Sequence, residues 1–206
     1  MIYEIRTYTL TPGSIPEFEK RFEKSLTNRL KYSELAAFWH TDIGPLNQVI
    51  HVWPYENLEH RAETRQRALQ EQDWPPNTGE FIVSMQSEIF NPAPFSPKLG
   101  GGQKLGNIYE MRMYQYQPGA VKEVTQRWEK GLAGGRLEIS PIAACMWSEV
   151  GRLNFWVHIW PYDSMEERDR VREESFKLET WPPGTREFMV SMENKIMMPA
   201  TFSPTA

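Results

Sequence analysis

The 206-residue sequence predicts an α+β protein built from two ferredoxin-like βαββαβ repeats that pack sheet against sheet within one chain. Three observations predict this fold. The second half of the chain repeats the first, and each half shows the same order of strand and helix patterns. In addition, one such unit has helices on only one face of its sheet, so the other face needs a cover. The second copy can supply it and form a pseudo-twofold barrel.

The internal repeat runs through the whole chain. Short segments of the first half return in the second: residues 2–8, 51–55, 74–76 and 95–97 match 108–114, 158–162, 181–183 and 202–204. Aligned without gaps, residues 43–97 and 150–204 are identical at 25 of 55 positions, where chance would give a handful. The chain is therefore a tandem duplication.

The domain boundaries follow from this repeat. We predict the first repeat over residues 1–97 and the second over residues 106–206. Residues 98–105 join them and contain three consecutive glycines, which are typical of a flexible linker.

The patterns along the first half predict its elements in order. Residues 2–10 alternate as a β-strand does, and apolar residues at every third or fourth place predict a helix over 14–30 with Ser14 as its cap. Two strands over 35–42 and 47–54 flank a Gly-Pro turn. A second helix over 56–71 and a strand over 80–90 complete the βαββαβ order.

Charge and cysteine content exclude several classes of protein. The net charge is −4, with 23 basic and 27 acidic residues and no basic block. We therefore expect no basic surface that would attract nucleic acid or an anionic membrane. No apolar run approaches the roughly 18 residues of a membrane span, and no signal-peptide pattern is visible. Cys145 is the only cysteine, which fits a reducing compartment. We expect a cytoplasmic protein without nucleic-acid or membrane partners.

Several segments together resemble the NIPSNAP family of the dimeric α/β-barrel superfamily. They are residues 3–6, 39–48 and 51–55, with Arg61 and Arg65. The resemblance implies that the two repeats form such a barrel within one chain. It implies no settled activity, because the superfamily includes cofactor-free monooxygenases, small-molecule isomerases and haem enzymes.

The strongest candidates for chemistry lie on the first strand of each half. Alternate positions place three polar residues on one face in each copy: Glu4, Arg6 and Tyr8, and Glu110, Arg112 and Tyr114. If the apolar face packs on the helices, these triplets point between the two sheets. There Tyr and Arg could orient an anionic or carbonyl substrate while Glu acts as a base. The other interpretation is a Glu–Arg pair that fixes how the halves dock.

Two further pairs of equivalent residues are candidates. His51 and His158 lie beside tryptophans on the third strand, either as a base that titrates near neutrality or as a core residue with satisfied ring nitrogens. Arg65 and Arg172 interrupt the apolar stripe of the second helix. They either bind an anion, pair with a buried carboxylate or extend past the edge of the core. Arg61 and Arg168, one turn earlier, are expected on a solvated face.

Metal and cofactor sites find no support. The four histidines do not cluster with one another or with Cys145, so we expect no metal site. No cofactor is expected, although haem ligation by a histidine stays open.

Two functions remain in competition. In one, the candidate residues bind a small molecule between the two sheets, either as a binding protein or as a cofactor-independent enzyme of the monooxygenase or isomerase kind. In the other, the barrel is filled and the protein is a non-catalytic interaction module. A pocket of about 300 Å³ or more with converging polar groups would separate them. The duplication is compatible with a pseudo-symmetric monomer and with a homodimer.

Overall fold

The computed structural model describes all 206 residues and has the predicted order of elements in each half. The first half contains β1 (Ile2–Leu10), α1 (Ile15–Leu30), β2 (Ala37–Ile43), β3 (Gln48–Tyr55), α2 (Leu58–Ala68) and β4 (Ile82–Pro92). The second half contains β5 (Ile108–Tyr116), α3 (Val121–Gly131), α4 (Leu137–Ile139), β6 (Ala144–Val150), β7 (Phe155–Tyr162), α5 (Met165–Ser175) and β8 (Met189–Pro199). None of these helices is long and apolar enough to cross a membrane.

The eight strands form one closed antiparallel barrel in the order β1-β3-β2-β8-β5-β7-β6-β4. Each half contributes four adjacent strands. The barrel closes at two seams, where β2 pairs with β8 and β4 pairs with β6. The predicted α+β fold is confirmed, and hydrogen bonding across both seams joins the two sheets into one closed surface.

The interior of the barrel is filled with apolar side chains from both halves. Tyr3 and Ile5 of β1, with Tyr109 and Met111 of β5, belong to a central cluster of 19 buried residues. The expectation that the polar triplets point between the sheets is therefore wrong: they lie on the outer face, under the helices. The reason is that β1 is apolar on both faces, since Leu10 on the outer face is also buried, and alternation alone does not tell which face is inside.

The ends of each repeat cross to the other half. Phe95 packs against the core of the second half, and Phe202 packs against the core of the first. The linker is less free than predicted, because the Leu99 side chain is buried in the central cluster and its backbone N–H donates to the Tyr3 hydroxyl at 3.0 Å. The two phenylalanines therefore tie each repeat to the outer cluster of the other half, and Leu99 contributes to the barrel interior.

Two local expectations about the helices are also corrected. Ser14 precedes α1, but its hydroxyl donates to the Thr11 carbonyl and does not cap the helix. The apolar stripe expected on α2 does not face the sheet, because Leu69 is largely exposed while Thr64 and Ala68 are buried. The helix is rotated so that its arginines, rather than its leucines, approach the outer face of the sheet.

Candidate functional site

Each half contains one pocket between the outer face of its sheet and its helices. The first has a volume of about 330 Å³ and the second of about 370 Å³. Equivalent residues line both, among them Arg6, Tyr8, Arg29, His51, Trp53, Arg65 and Trp74 in the first half and Arg112, Tyr114, Arg136, His158, Trp160, Arg172 and Trp181 in the second. Eight of the ten predicted candidates thus line the pockets, and Glu4 and Glu110 lie directly behind them.

The floor of the first pocket is built by β1 and β3. Arg6 and His51 are direct cross-strand partners, and Tyr8 lies edge-on to the His51 ring. The Arg6 guanidinium donates through Nε to the Tyr8 hydroxyl at 2.7 Å and through Nη1 to Glu4 Oε1 at 2.7 Å. In the second half the same two bonds measure 2.6 and 2.8 Å. The Glu–Arg–Tyr network is therefore the same in both copies.

Glu4 is a fully buried carboxylate. Its Oε1 accepts from Arg61 at 2.7 Å and from Ser87 at 2.6 Å, in addition to Arg6. Burial alone would raise the pKa of this carboxyl, but the bonds from Arg61 and Ser87 and the charge of Arg6 outweigh it and lower the pKa to about 2. All three bonds go to Oε1, and the buried Oε2 has no hydrogen-bond partner. A carboxylate this acidic is a poor base at neutral pH.

Glu110 repeats this arrangement in the second half. Arg168 donates to both of its oxygens, at 2.8 and 3.1 Å, and Asn194 donates to Oε1 at 3.0 Å. Burial raises the pKa of Glu110, but the bond from Arg168 and the charge of Arg112 reverse that effect and the pKa is lowered. The expectation that Arg61 and its counterpart belong to a solvated face is wrong, because both pair with a buried carboxylate.

His51 is held by the neighbouring tryptophan of its own strand. Trp53 Nε1 donates to His51 Nδ1 at 2.6 Å, and Trp160 donates to His158 in the same way at 2.6 Å. Because Nδ1 accepts a bond, the ring carries its proton on Nε2. Burial, assisted by the charge of Arg6, lowers the pKa of His51 well below its usual value. The geometry favours a core position over a general base, but only one ring nitrogen is satisfied as that interpretation required: the indole holds Nδ1, whereas the buried Nε2 has no hydrogen-bond partner.

Arg29 lies at the end of α1 and was not among the predicted site residues. Its guanidinium stacks 4.3 Å from the centroid of the Trp53 ring and 6.0 Å from that of Trp74. It donates to the hydroxyls of Ser33 and Tyr55, at 2.8 and 2.9 Å, and no carboxylate lies within 4 Å of it. Arg29 is therefore a buried cation stabilised by aromatic rings and neutral acceptors.

Arg136 occupies the same place in the second half by a different local route. Its guanidinium lies 3.9 Å from the centroid of the Trp160 ring. Arg29 follows Phe22 by seven residues, whereas Arg136 follows its counterpart Trp128 by eight. The extra residue is taken up at a kink between α3 and α4, where Gly134 and Gly135 leave helical geometry and Gly135 has a φ of +104°.

Arg65 and Arg172 stand at the rims of the two pockets. Arg65 Nη1 is 3.7 Å from Glu4 Oε1. Arg172 has no carboxylate within 4 Å and lies 5.8 Å from the centroid of the Phe176 ring. Of the three roles that the sequence left open for this position, pairing with a buried carboxylate holds loosely for Arg65. Arg172 remains available to an anion.

The charged side chains that line both pockets are all positive. No Asp or Glu lines either pocket, whereas three arginines line the first and four line the second. The walls are aromatic and apolar. Cys145 is buried in the core of the second half, where burial raises the pKa of its thiol well above the usual value, and no three potential metal ligands cluster anywhere in the chain. The pockets therefore present positive charge and hydrogen-bond donors on an apolar body.

The buried arginines Arg29 and Arg136 were not predicted as site residues, and the reasons can be identified. Arg29 continues the face of α1 that carries Phe22, seven residues earlier, so a polar residue on an apolar face was a usable signal. Arg136 was concealed by the one-residue insertion before it. The pocket role of Trp74 and Trp181 could have been suspected only from their repetition.

The chain is similar to known proteins in sequence and in fold. The NIPSNAP family model matches residues 3–97 and again residues 109–204. Protein NipSnap homolog 3B of Homo sapiens is 32% identical over 98% of this chain and 85% of its own length. Among solved structures, a candidate monooxygenase of Fusobacterium nucleatum covers 96% of this chain and 91% of its own, with a TM-score of 0.67 and 9% identity. An anthrone oxidase-like protein covers 100% and 94%, with a TM-score of 0.63 and 11% identity. At such identities the two structures show a shared fold alone.

Proposed function

The chain belongs to the NIPSNAP family, whose domain it carries twice, and we propose that each copy binds one small organic anion with an aromatic or otherwise apolar body. The sites are the two outer pockets, in place of the space between the sheets where the sequence suggested that a ligand would bind. Their volumes lie near the lower end of the range that is typical of small-molecule sites.

The observation that carries this proposal is the buried arginine of each pocket. Arg29 and Arg136 are each 2% exposed and have no carboxylate partner. A buried charge without a counter-ion is costly, and an anion in the pocket would supply it. The planar guanidinium suits the bidentate recognition of a carboxylate or phosphate. The tryptophan rings that flank each arginine provide the apolar contact for the rest of the ligand.

A reaction that begins with removal of a proton from carbon is not favoured by this geometry. Isomerisation by enolisation and cofactor-free oxygenation of a carbanion both need a base. Glu4 and Glu110 are acidic, paired and outside the pocket lining, and Nδ1 of His51 and His158 is occupied by an indole N–H. We therefore propose binding rather than catalysis, although some proteins of this fold bear the names of oxygenases.

Haem does not fit the pocket histidines. Iron would need a free lone pair on Nε2, but the Trp53 N–H bond to His51 Nδ1 keeps the proton on Nε2. The Nε2 atom is also buried without access to the pocket space. The same holds for His158 and Trp160.

The proposal is tested by isothermal titration calorimetry with 2-naphthoate, using the uncharged isostere 2-naphthamide as the control ligand. We expect two sites per chain for 2-naphthoate and at least about tenfold weaker binding of the amide, because a charge-assisted contact to arginine is lost. Arg65→Met and Arg172→Met should each weaken one site by about tenfold. Arg170→Met is the matched control, since Arg170 is exposed and lines neither pocket.

Two results would overturn the proposal. One is the absence of saturable 2-naphthoate binding at millimolar concentrations. The other is equal affinity for the anion and the amide, which would leave the arginines with a purely structural role. Either result would favour the interaction-module alternative, in which the filled barrel displays its outer surface to a protein partner.

A further inference from the structure

The two pockets differ in charge at one position. A short 3₁₀ turn precedes the last strand of each half, Gly79–Phe81 in the first and Arg186–Phe188 in the second. Its first residue lines the pocket in both halves. The first pocket therefore has a glycine where the second has an exposed arginine that makes no ion pair with any residue of the chain.

The arginines also differ in how many are already neutralised. In the first pocket, Arg6 and Arg65 both approach Glu4, so only Arg29 lacks a carboxylate within 4 Å. In the second pocket, only Arg112 pairs with a carboxylate, Glu110. The other three arginines there have none: Arg136, Arg172 and Arg186. The second pocket thus offers three guanidinium groups without a counter-ion, against one in the first.

We infer that the second pocket selects an organic dianion, a phosphate monoester with an apolar body, whereas the first pocket selects an organic monoanion such as a carboxylate. This inference rests on the proposed function, since it assigns different ligands to the same two sites. A phosphate presents three acceptor oxygens and about two charges at pH 8, which matches three unpaired guanidinium groups. A carboxylate presents two oxygens and one charge. A single guanidinium without a counter-ion can bind both oxygens and balance that charge.

Reciprocal exchange of the differing residue tests the inference directly. The probes are 2-naphthyl phosphate and 2-naphthoate, titrated at pH 8 into the full chain. We expect Arg186→Gly to weaken the tight 2-naphthyl phosphate site about tenfold and to leave the first site unchanged for 2-naphthoate. Gly79→Arg should strengthen the first site for the phosphate by a similar factor. A Cβ atom placed at Gly79 meets no atom within 4 Å, and Gly79 is not in the positive-φ region, so the backbone there admits a side chain.

Lowering the pH provides a second test. A purely structural role of Arg186 would not make the binding preference depend on the charge of the phosphate probe. The second ionisation of a phosphate monoester has a pKa of about 6. At pH 5 the phosphate probe is mostly a monoanion, and we expect its preference for the second pocket to fall toward the value measured for Arg186→Gly at pH 8. Binding of 2-naphthoate, a monoanion at both pH values, should change little.

The outcomes separate failure of this inference from failure of the proposed function. Two sites for 2-naphthoate with no phosphate preference at the second, or no gain from Gly79→Arg, would overturn the charge selection alone. Absence of binding for both probes would overturn the proposed function and the inference with it. Arg65→Met and Arg172→Met assign each measured site to its half.

Discussion

The two halves of the chain keep their buried polar networks and vary the walls around them. The hydrogen bonds from Arg6 and from Arg112 to the glutamate and tyrosine of their own strands agree within 0.1 Å between the halves. The Trp–His hydrogen bond is 2.6 Å in both halves. Four wall positions that line both pockets differ: Phe22, Leu69, Gly79 and Ile82 become Trp128, Phe176, Arg186 and Met189. A change in the network would leave a buried charge unpaired, whereas a change in the wall alters only size and charge. Comparison of the halves thus separates residues that support the fold from residues that select a ligand.

The two seams also differ in charge. At the β4–β6 seam, Arg152 donates to both oxygens of Glu88, at 3.0 and 3.1 Å. At the β2–β8 seam the position equivalent to Glu88 is Lys195, which donates to Gln48 at 2.9 Å. If two second halves paired with each other, Lys195 would stand opposite Arg152 and the two cations would repel. The seam charges therefore favour pairing between unlike halves.

The largest effect is expected from removing the buried carboxylate of either network. Glu4→Gln and Glu110→Gln should each lower the free energy of unfolding by about 3 kcal/mol or more, because buried arginines lose their counter-ion. Glu110 accepts four hydrogen bonds and Glu4 three, so we expect the larger loss at Glu110. Urea denaturation measures both. Glu63→Gln, on the exposed face of α2, is the control and should change stability by less than about 0.5 kcal/mol.

Acid should weaken the fold through the same carboxylates. The pKa of Glu4 is about 2 in the folded protein, against 4.5 ordinarily. A lowered pKa contributes stability above the unfolded value, and that stability is lost as the pH falls from about 4.5 toward 2. The loss amounts to about 3 kcal/mol for this group. Urea midpoints measured between pH 6 and pH 2.5 should fall less steeply in Glu4→Gln, and a parallel fall in both proteins would contradict the assignment.

A smaller effect is expected at the seams. Arg152→Glu should destabilise the protein by about 1–2 kcal/mol, since it sets two carboxylates against each other, and Glu88→Lys should restore most of the loss in the double variant. Lysine is already accommodated at the equivalent position 195. Lys195→Met should be neutral or slightly stabilising, because burial lowers the pKa of Lys195 and its only hydrogen bond is to an amide. Equal losses at the two seams would show that the charge difference has no role in pairing.

The sequence predicted the fold well and the site only in part. The repeat and its periodicities sufficed for the barrel because each level of the pattern agreed with the others. The face of β1 could not be assigned, because Tyr3 and Leu10 are buried on opposite sides of the sheet. Arg61 could not be placed, because the exposed leucines of α2 mimic a buried stripe. Both failures concern the direction in which a side chain points, and that direction depends on tertiary packing rather than on local pattern.

The kink at Gly134 and Gly135 has a consequence for how this protein tolerates insertions. An α-helix advances by about 100° per residue, so one inserted residue would swing every later side chain by that angle. Here two non-helical glycines interrupt the helix, so the inserted residue does not rotate a continuous helix, and Arg136 still reaches the Trp160 ring. The length of this segment can thus change by one residue while the direction of its last side chain stays fixed.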